Sequence, residues 1–207
     1  GDGTPIIVPI NMGDGPYTFR VMQNTSGNNY VELFSVIDNV NLSSETAPYL
    51  VPNMFVNYNE SSAVVAKARE LAQGAANQGD VVRNIYQWVV DNITYDHDKA
   101  AQLASATGYV PDPDATLASG TGICFDYASL GAAMLRSLGI PCQVITGYVS
   151  PDDVYHAWNM VYIDGEWVSV EISIKPNSWT RVDLTFAASG AASTIGDGTS
   201  YTDRYTY

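Results

Sequence analysis

The chain has two cysteines and two histidines, Cys124, Cys142, His97 and His156, and thiol or imidazole chemistry has to run through these four side chains. A zinc site built from them would call for a Cys-x-x-Cys motif or a closely spaced pair of histidines, and the sequence has neither. A Cys124–Cys142 disulfide is opposed by distance. A helix from Cys124 to Leu138 runs roughly 21 Å and Cys142 follows its far end, whereas a disulfide holds its Cα atoms within about 7 Å. Cys142 therefore reads as a buried strand residue. His97, in Asp96-His97-Asp98, reads as a solvated histidine between carboxylates. Cys124 and His156 remain as a candidate nucleophile and base.

The position of Cys124 favours that chemistry. It follows Gly120-Thr121-Gly122-Ile123 and opens a helix whose first N–H groups and dipole stabilise an anionic sulfur. The same N–H groups, that of Cys124 among them, are placed to donate to the oxyanion of a tetrahedral intermediate. The position of His156 follows from Asp164-Gly165, a two-residue hairpin signal between β-rich runs. Such a turn sets Ile163 opposite Glu166, Trp158 opposite Glu171 and His156 opposite Ser173. His156 and Glu171 are then diagonal neighbours on one face, where the carboxylate could accept from one imidazole nitrogen and leave the other for the thiol. Tyr95 and Trp158 are weaker candidates; Trp158, on the face of His156, could wall the thiol site or the substrate groove, with packing against the helix as the more ordinary explanation.

The elements that must hold these residues are legible in outline. Val64, Ala68, Leu71 and Ala75 recur at helical spacing behind a Ser61/Ser62 cap, and a second helix from Asp80 carries the stripe Val81, Ile85, Trp88, Val89. The polar, proline-bearing stretch from Asn92 to Pro113 reads as a loop. The helix from Cys124 to Leu138 is apolar or small almost all round, which makes it central and buried, and Gly139 with Pro141 ends it. Strands follow at Cys142 to Val149, Tyr155 to Ile163 and Glu166 to Ile172. Residues 1–60 carry strand-like pieces at Tyr17 to Met22 and Tyr30 to Ile37 and no reactive constellation; Gly13-Asp14-Gly15 and Gly196-Asp197-Gly198 read as turns.

Composition bounds the function. Nine Lys and Arg against 22 Asp and Glu give a net charge of −13, with no cationic cluster, which excludes a nucleic-acid binder. With 46% hydrophobic and 15% charged residues, the chain can bury a core and is not disordered by composition. Its longest apolar runs, such as Ile6 to Ile10, fall far short of the roughly 18 to 20 residues of a membrane-spanning helix. The start at Gly1-Asp2-Gly3, three lysines, 14 tyrosines and polar ends lead to the expectation of an extracellular or cell-surface protein whose signal or anchor segment lies outside this sequence.

The blocks Gly120-Thr121-Gly122-Ile123-Cys124-Phe125-Asp126-Tyr127-Ala128, Leu135 to Pro141, Gly147-Tyr148, His156-Ala157-Trp158-Asn159 and Trp167-Val168-Ser169-Val170-Glu171 resemble, in order and spacing, the transglutaminase-like superfamily. The resemblance runs from residue 79 to about residue 187. It implies an α+β, papain-like fold with a central buried helix packed on an antiparallel sheet, here with additional N-terminal strands and helices. It also implies attack of Cys124 on an amide carbonyl, a thioester, and transfer to water or a primary amine, with His156 as general base and acid and Glu171 as orienting carboxylate. The family usually has Asp where this chain has Glu171. Trp179-Thr180-Arg181-Val182-Asp183 repeats the Trp-x-x-x-acid spacing, so Asp183 rivals Glu171, which the hairpin arithmetic favours. The expected organisation is an N-terminal arm over 1–60 whose short strands pack on the core, a catalytic core over 61–187 and a C-terminal tail over 188–207. The expected partner is a protein or peptide substrate, with an amine as alternative acceptor; no cofactor or metal is called for. The alternative is a non-catalytic cell-surface binding module that keeps the fold.

Overall fold

The computed structural model describes residues 5–104, 106, 108–149, 154–175, 178–185 and 201–207. The helices are α1 (Ala63–Leu71), α2 (Gln78–Asn92), α3 (His97–Leu103), α4 (Pro113–Ser119) and α5 (Cys124–Ser137); the strands are β1 (Gly15–Ser26), β2 (Asn29–Val40), β3 (Thr94–Tyr95), β4 (Thr121–Gly122), β5 (Cys142–Val149), β6 (Val154–Ile163), β7 (Glu166–Lys175), β8 (Ser178–Thr185) and β9 (Tyr201–Thr206). Every residue of α5 from Asp126 to Arg136 is buried, as its nearly all-apolar surface requires. It packs on β5 and β6 on one side and on α1, α2 and α4 on the other. This is the expected α+β arrangement of a central helix on an antiparallel sheet. The sheet runs in the order β8-β7-β6-β5-β9.

The Asp164-Gly165 turn forms with both residues at positive φ, 53° and 91°, as a two-residue hairpin of this hand demands. The β6/β7 register is the expected one, Ile163 with Glu166 through Asn159 with Val170. The α2 stripe differs by a small rotation. Val82, Ile85, Tyr86 and Val89 are buried, while Val81 and Trp88 only pack at the core's edge, and Lys67 Nζ lies 5.3 Å from the Trp88 ring centre. The cap of α1 also differs. The side chain of Ser62 makes no cap bond, and the Asp114 carboxylate, brought in by α4, accepts from Val64 N–H at 2.8 Å.

Two stretches hold more structure than the expected loops. Between Asn92 and Pro113, Thr94 and Tyr95 pair in parallel with Thr121 and Gly122, and α3 forms with Asp96 as its cap, accepting from Lys99 N–H at 2.9 Å. No residue of α3 is buried, so it has no apolar stripe to announce it. Near the C-terminus, β9 adds to the sheet edge at β5, within the segment expected as a tail. The N-terminal segment contributes to the core through Tyr49 and Val56, but β1 and β2 form a long two-stranded ribbon whose side chains, Phe34 and Ile37 among them, are largely exposed.

Candidate active site

Asp126, one turn into α5, organises the helix start. Its carboxylate is fully buried and accepts from Ile123 N–H at 2.8 Å, Lys99 Nζ at 2.7 Å and Tyr109 Oη at 2.5 Å. The first bond satisfies a donor that the helix end would otherwise leave open. The other two tie α3 and the chain near Tyr109 to the first turn of the helix that Cys124 opens, and the carboxylate holds the Lys99 ammonium above its usual range, against the opposing effect of desolvation. The glycines before it have separate duties. Gly120 ends α4 in the left-handed region at φ 65°, and a Cβ on Gly122 would stand 2.7 Å from the Asp126 Cβ. The sequence sets Asp126 two residues from Cys124, but its partners come from 27 and 17 residues away, beyond any local pattern.

Cys124 is half-buried and lines a cleft of about 620 Å³, as does His156. Ile123, Phe125 and Tyr95 lie beside the thiol, Tyr109 and the α3 end form one wall, and Thr146, Tyr148 and Tyr155 of β5 and β6 form the other, with Arg204 and Tyr207 at the C-terminal edge. Tyr155 Oη donates to Thr146 Oγ1 at 2.8 Å. Tyr95 is thus placed in the wall. His156 is the third residue of β6 and comes to the cleft at the open end of that strand. Its ring stacks on that of Trp158, 6.4 Å between centres and 19° between planes. Trp158 itself is buried with Ile145 and stands behind the imidazole rather than in the cleft wall.

Strand β6 is locked to the helix that carries the thiol. Asn159, 1% exposed, donates from Nδ2 to the carbonyls of Ala128 on α5 and Gln143 on β5, both at 3.0 Å, and accepts from Tyr86 Oη of α2 at 2.7 Å. Every polar atom of the amide is used, the condition under which a buried polar group rigidifies a core. Gly147 is the Cα partner of His156, and a Cβ there would meet the Thr202 carbonyl oxygen at 2.1 Å and the Trp158 ring at 2.9 Å. The strand opposite the imidazole therefore has to be bare.

Glu171 lies on β7, one residue past Val170, and among the described residues the β6/β7 pairing runs only as far as Asn159 with Val170. It is the Cα partner of Asp183 on β8, so the two rival carboxylates are direct cross-strand neighbours. Their side chains lie outside the described residues. Cys142 is a fully buried free thiol, and burial pushes it up to about 12. His97 is exposed at the start of α3, its ring against Tyr95 and outside the cleft lining. Among the described residues no group of three or more His, Cys, Asp or Glu is placed to hold a metal ion, and no helix is long and apolar enough to cross a membrane.

Several known proteins are similar to this chain in sequence or fold. Cytokinesis protein 3 of Schizosaccharomyces pombe is 33% identical over 120 residues, 51% of this chain and 12% of that protein. Kyphoscoliosis peptidase of Mus musculus is 31% identical over 112 residues, 49% of this chain and 16% of that protein. The chain thus spans a small part of each of these relatives. The crystal structure of a candidate cysteine protease from Cytophaga hutchinsonii superposes with a TM-score of 0.51 and 18% identity over 99% of this chain and 81% of that one, a likeness of fold. The model of the transglutaminase-like superfamily matches residues 65–183, from α1 to β8 and across both cleft residues, and the chain belongs to that superfamily.

Proposed function

We propose that the chain is a cysteine-dependent acyl-transfer enzyme acting on amide bonds of a peptide or protein, with Cys124 as nucleophile, His156 as general base and acid, and Glu171 as the carboxylate that orients the imidazole. The observation that carries this reading is that Cys124, at the N-terminus of the central helix, and His156, at the open end of β6, line one cleft. In the reaction, the Cys124 sulfur adds to the amide carbonyl carbon and the imidazolium gives its proton to the leaving nitrogen as the C–N bond breaks. A thioester remains. Water, or a primary amine in its place, then adds to the thioester carbon while His156 takes the proton, and the C–S bond breaks to regenerate the thiolate. Membership of the superfamily and the peptidase among the relatives support the amide class. Extracellular or cell-surface placement belongs to the same proposal and rests on composition.

Iodoacetamide under native conditions is expected to modify Cys124 faster than a free model thiol. A peptide library is expected to leave an acyl mass on Cys124, and His156→Ala is expected to lower turnover by about 10²–10⁴-fold. Glu171→Gln should slow both labelling and turnover while Asp183→Asn leaves them near wild type; the opposite result transfers the orienting role to Asp183. Equal, slow labelling of both cysteines would refute an active enzyme and leave the binding module.

A further inference from the structure

The chain carries 22 acidic residues against nine Lys and Arg, but among the described residues the cleft lining includes no Asp or Glu and one cationic side chain, Arg204. Seven of the nine cations have described side chains. Five are in ion pairs: Arg20, Lys67, Arg69, Arg83 and Lys99. Arg136 is buried and donates to three backbone carbonyls. Arg204 has no carboxylate partner among the described residues. Its guanidinium is held by neutral groups instead, with Nη1 3.2 Å from Tyr148 Oη and Cζ 5.2 Å from the Tyr205 ring centre. Asp203, its neighbour in the chain, pairs with Gly147 and makes no ion pair with it among the described residues.

The strand geometry accounts for where Arg204 points. On β9, Tyr205 opposes Thr146 and Asp203 opposes Gly147, so Arg204 is the extra residue of a bulge. A bulge interrupts the alternation of side chains and re-aims one of them, and here the guanidinium meets Tyr148, in the cleft wall, at the cost of one ladder position. An arginine fork oriented by a phenol and a ring, exposed to solvent and without a carboxylate partner among the described residues, suits a planar anion.

From this we infer that Arg204 is a specificity-determining residue that binds a carboxylate of the substrate. The inference rests on the acyl-transfer reading and names its substrate class: an acidic peptide. Order in the sheet sets the spacing. His156, Gly147 and Asp203 stand in one row across β6, β5 and β9, so the Arg204 backbone lies two strand spacings, about 10 Å, from that of His156. An extended peptide covers that distance in about three residues. The recognised Glu or Asp therefore lies two or three residues from the reacting carbonyl. At this edge of the cleft the described charge is opposite in sign to that of the whole molecule, and a cationic side chain at the subsite is disfavoured locally.

The test uses two thiol-directed probes of equal shape, iodoacetyl-Gly-Glu-amide and iodoacetyl-Gly-Gln-amide, in which the Cys124 sulfur displaces iodide from the CH₂ carbon. On the wild-type chain, saturation labelling should give the Glu probe an apparent binding constant about 1.5-fold to fivefold tighter than the Gln probe, the range of a solvent-exposed ion pair. The advantage should shrink with added salt. Arg204→Gln should abolish the difference, and Arg204→Lys should restore part of it. Equal binding of the two probes to a chain whose Cys124 labels rapidly overturns the inference and leaves the acyl-transfer reading intact. If Cys124 does not label at all, that reading falls, and the inference is decided by NMR with acetyl-Gly-Glu-amide and acetyl-Gly-Gln-amide. A shift of the Arg204 Nε–H resonance with the Glu peptide alone sustains the carboxylate site, and no shift with either overturns it.

Discussion

Cys124 and Cys142 are the same residue type in opposite settings. Cys124 is half-exposed in the cleft, whereas Cys142 is fully buried and its thiol is pushed up to about 12 by desolvation, which the nearby Arg136 guanidinium only partly opposes. A raised folded-state value for an acid means that the folded chain keeps a proton the unfolded chain gives up. The contribution is therefore neutral below the ordinary thiol range, near pH 8.5, and costs stability as pH climbs from there towards 12. The slope reaches about 1.4 kcal/mol per pH unit for one proton. Cys142→Val, close in size, is expected to flatten the alkaline fall of the unfolding free energy, read from denaturant curves, by up to that amount; parallel wild-type and variant curves would show that Cys142 titrates alike in both states. The division between the two cysteines was legible in the sequence because one opens a helix after glycines and the other sits in a β-rich run. Asp126 and Arg204 were not legible as members of the site. The partners of Asp126 come from a distant segment and a helix with no stripe, and the aim of Arg204 depends on a one-residue bulge in a strand that pairs far from its neighbours in sequence.

At the scale of elements, signals that need only adjacent residues were read well. Asp164-Gly165 fixed a hairpin and its register, and the all-apolar run after Cys124 fixed the central helix. Signals that depend on a partner elsewhere were not. The cap of α1 comes from Asp114, α3 is held by Asp96 and by Lys99 on Asp126, and β9 is a strand because β5 offers it an edge. The β5/β9 pair also explains why Gly147 carries no side chain. With a Cβ 2.1 Å from the Thr202 carbonyl oxygen and 2.9 Å from the Trp158 ring, either β9 moves off or the ring beneath His156 turns. Gly147→Ala is expected to destabilise the fold by about 1–3 kcal/mol, the usual cost of overpacking. It should also speed amide exchange at Tyr201 to Tyr207 ahead of the α5 core. Labelling of Cys124 by the Glu probe should lose its advantage over the Gln probe, because Arg204 is carried by the displaced strand. Unaltered exchange on β9 would mean that the added methyl is accommodated without moving the strand.

Across the whole molecule, Arg136 on the central helix is where distant parts of the chain meet. Its guanidinium, 2% exposed, donates from Nε to the Cys142 carbonyl at 2.8 Å, from Nη1 to that of Val51 at 2.9 Å and from Nη2 to that of Tyr207 at 2.7 Å. One side chain thus joins the N-terminal segment, the first strand after the helix and the strand that bears Arg204. Burial lowers its proton affinity, but an arginine stays charged at any pH the fold survives. The fork geometry matters more than the charge, since three carbonyls in three directions need planar donors on several sides. Lysine at this position reaches one or two of them with a compact ammonium, and methionine reaches none. Arg136→Met is expected to leave the three carbonyls without this donor and cost about 2–4 kcal/mol, reduced by the release of a buried charge. Arg136→Lys should fall nearer to Met than to wild type. The loss should be uneven: the Val144 and Tyr207 amides, which bond each other's carbonyls at 3.0 and 2.7 Å, should exchange faster relative to those of α2. A uniform loss over all amides would instead make Arg136 a general stabiliser of the core, with no special hold on the strand at the edge of the cleft.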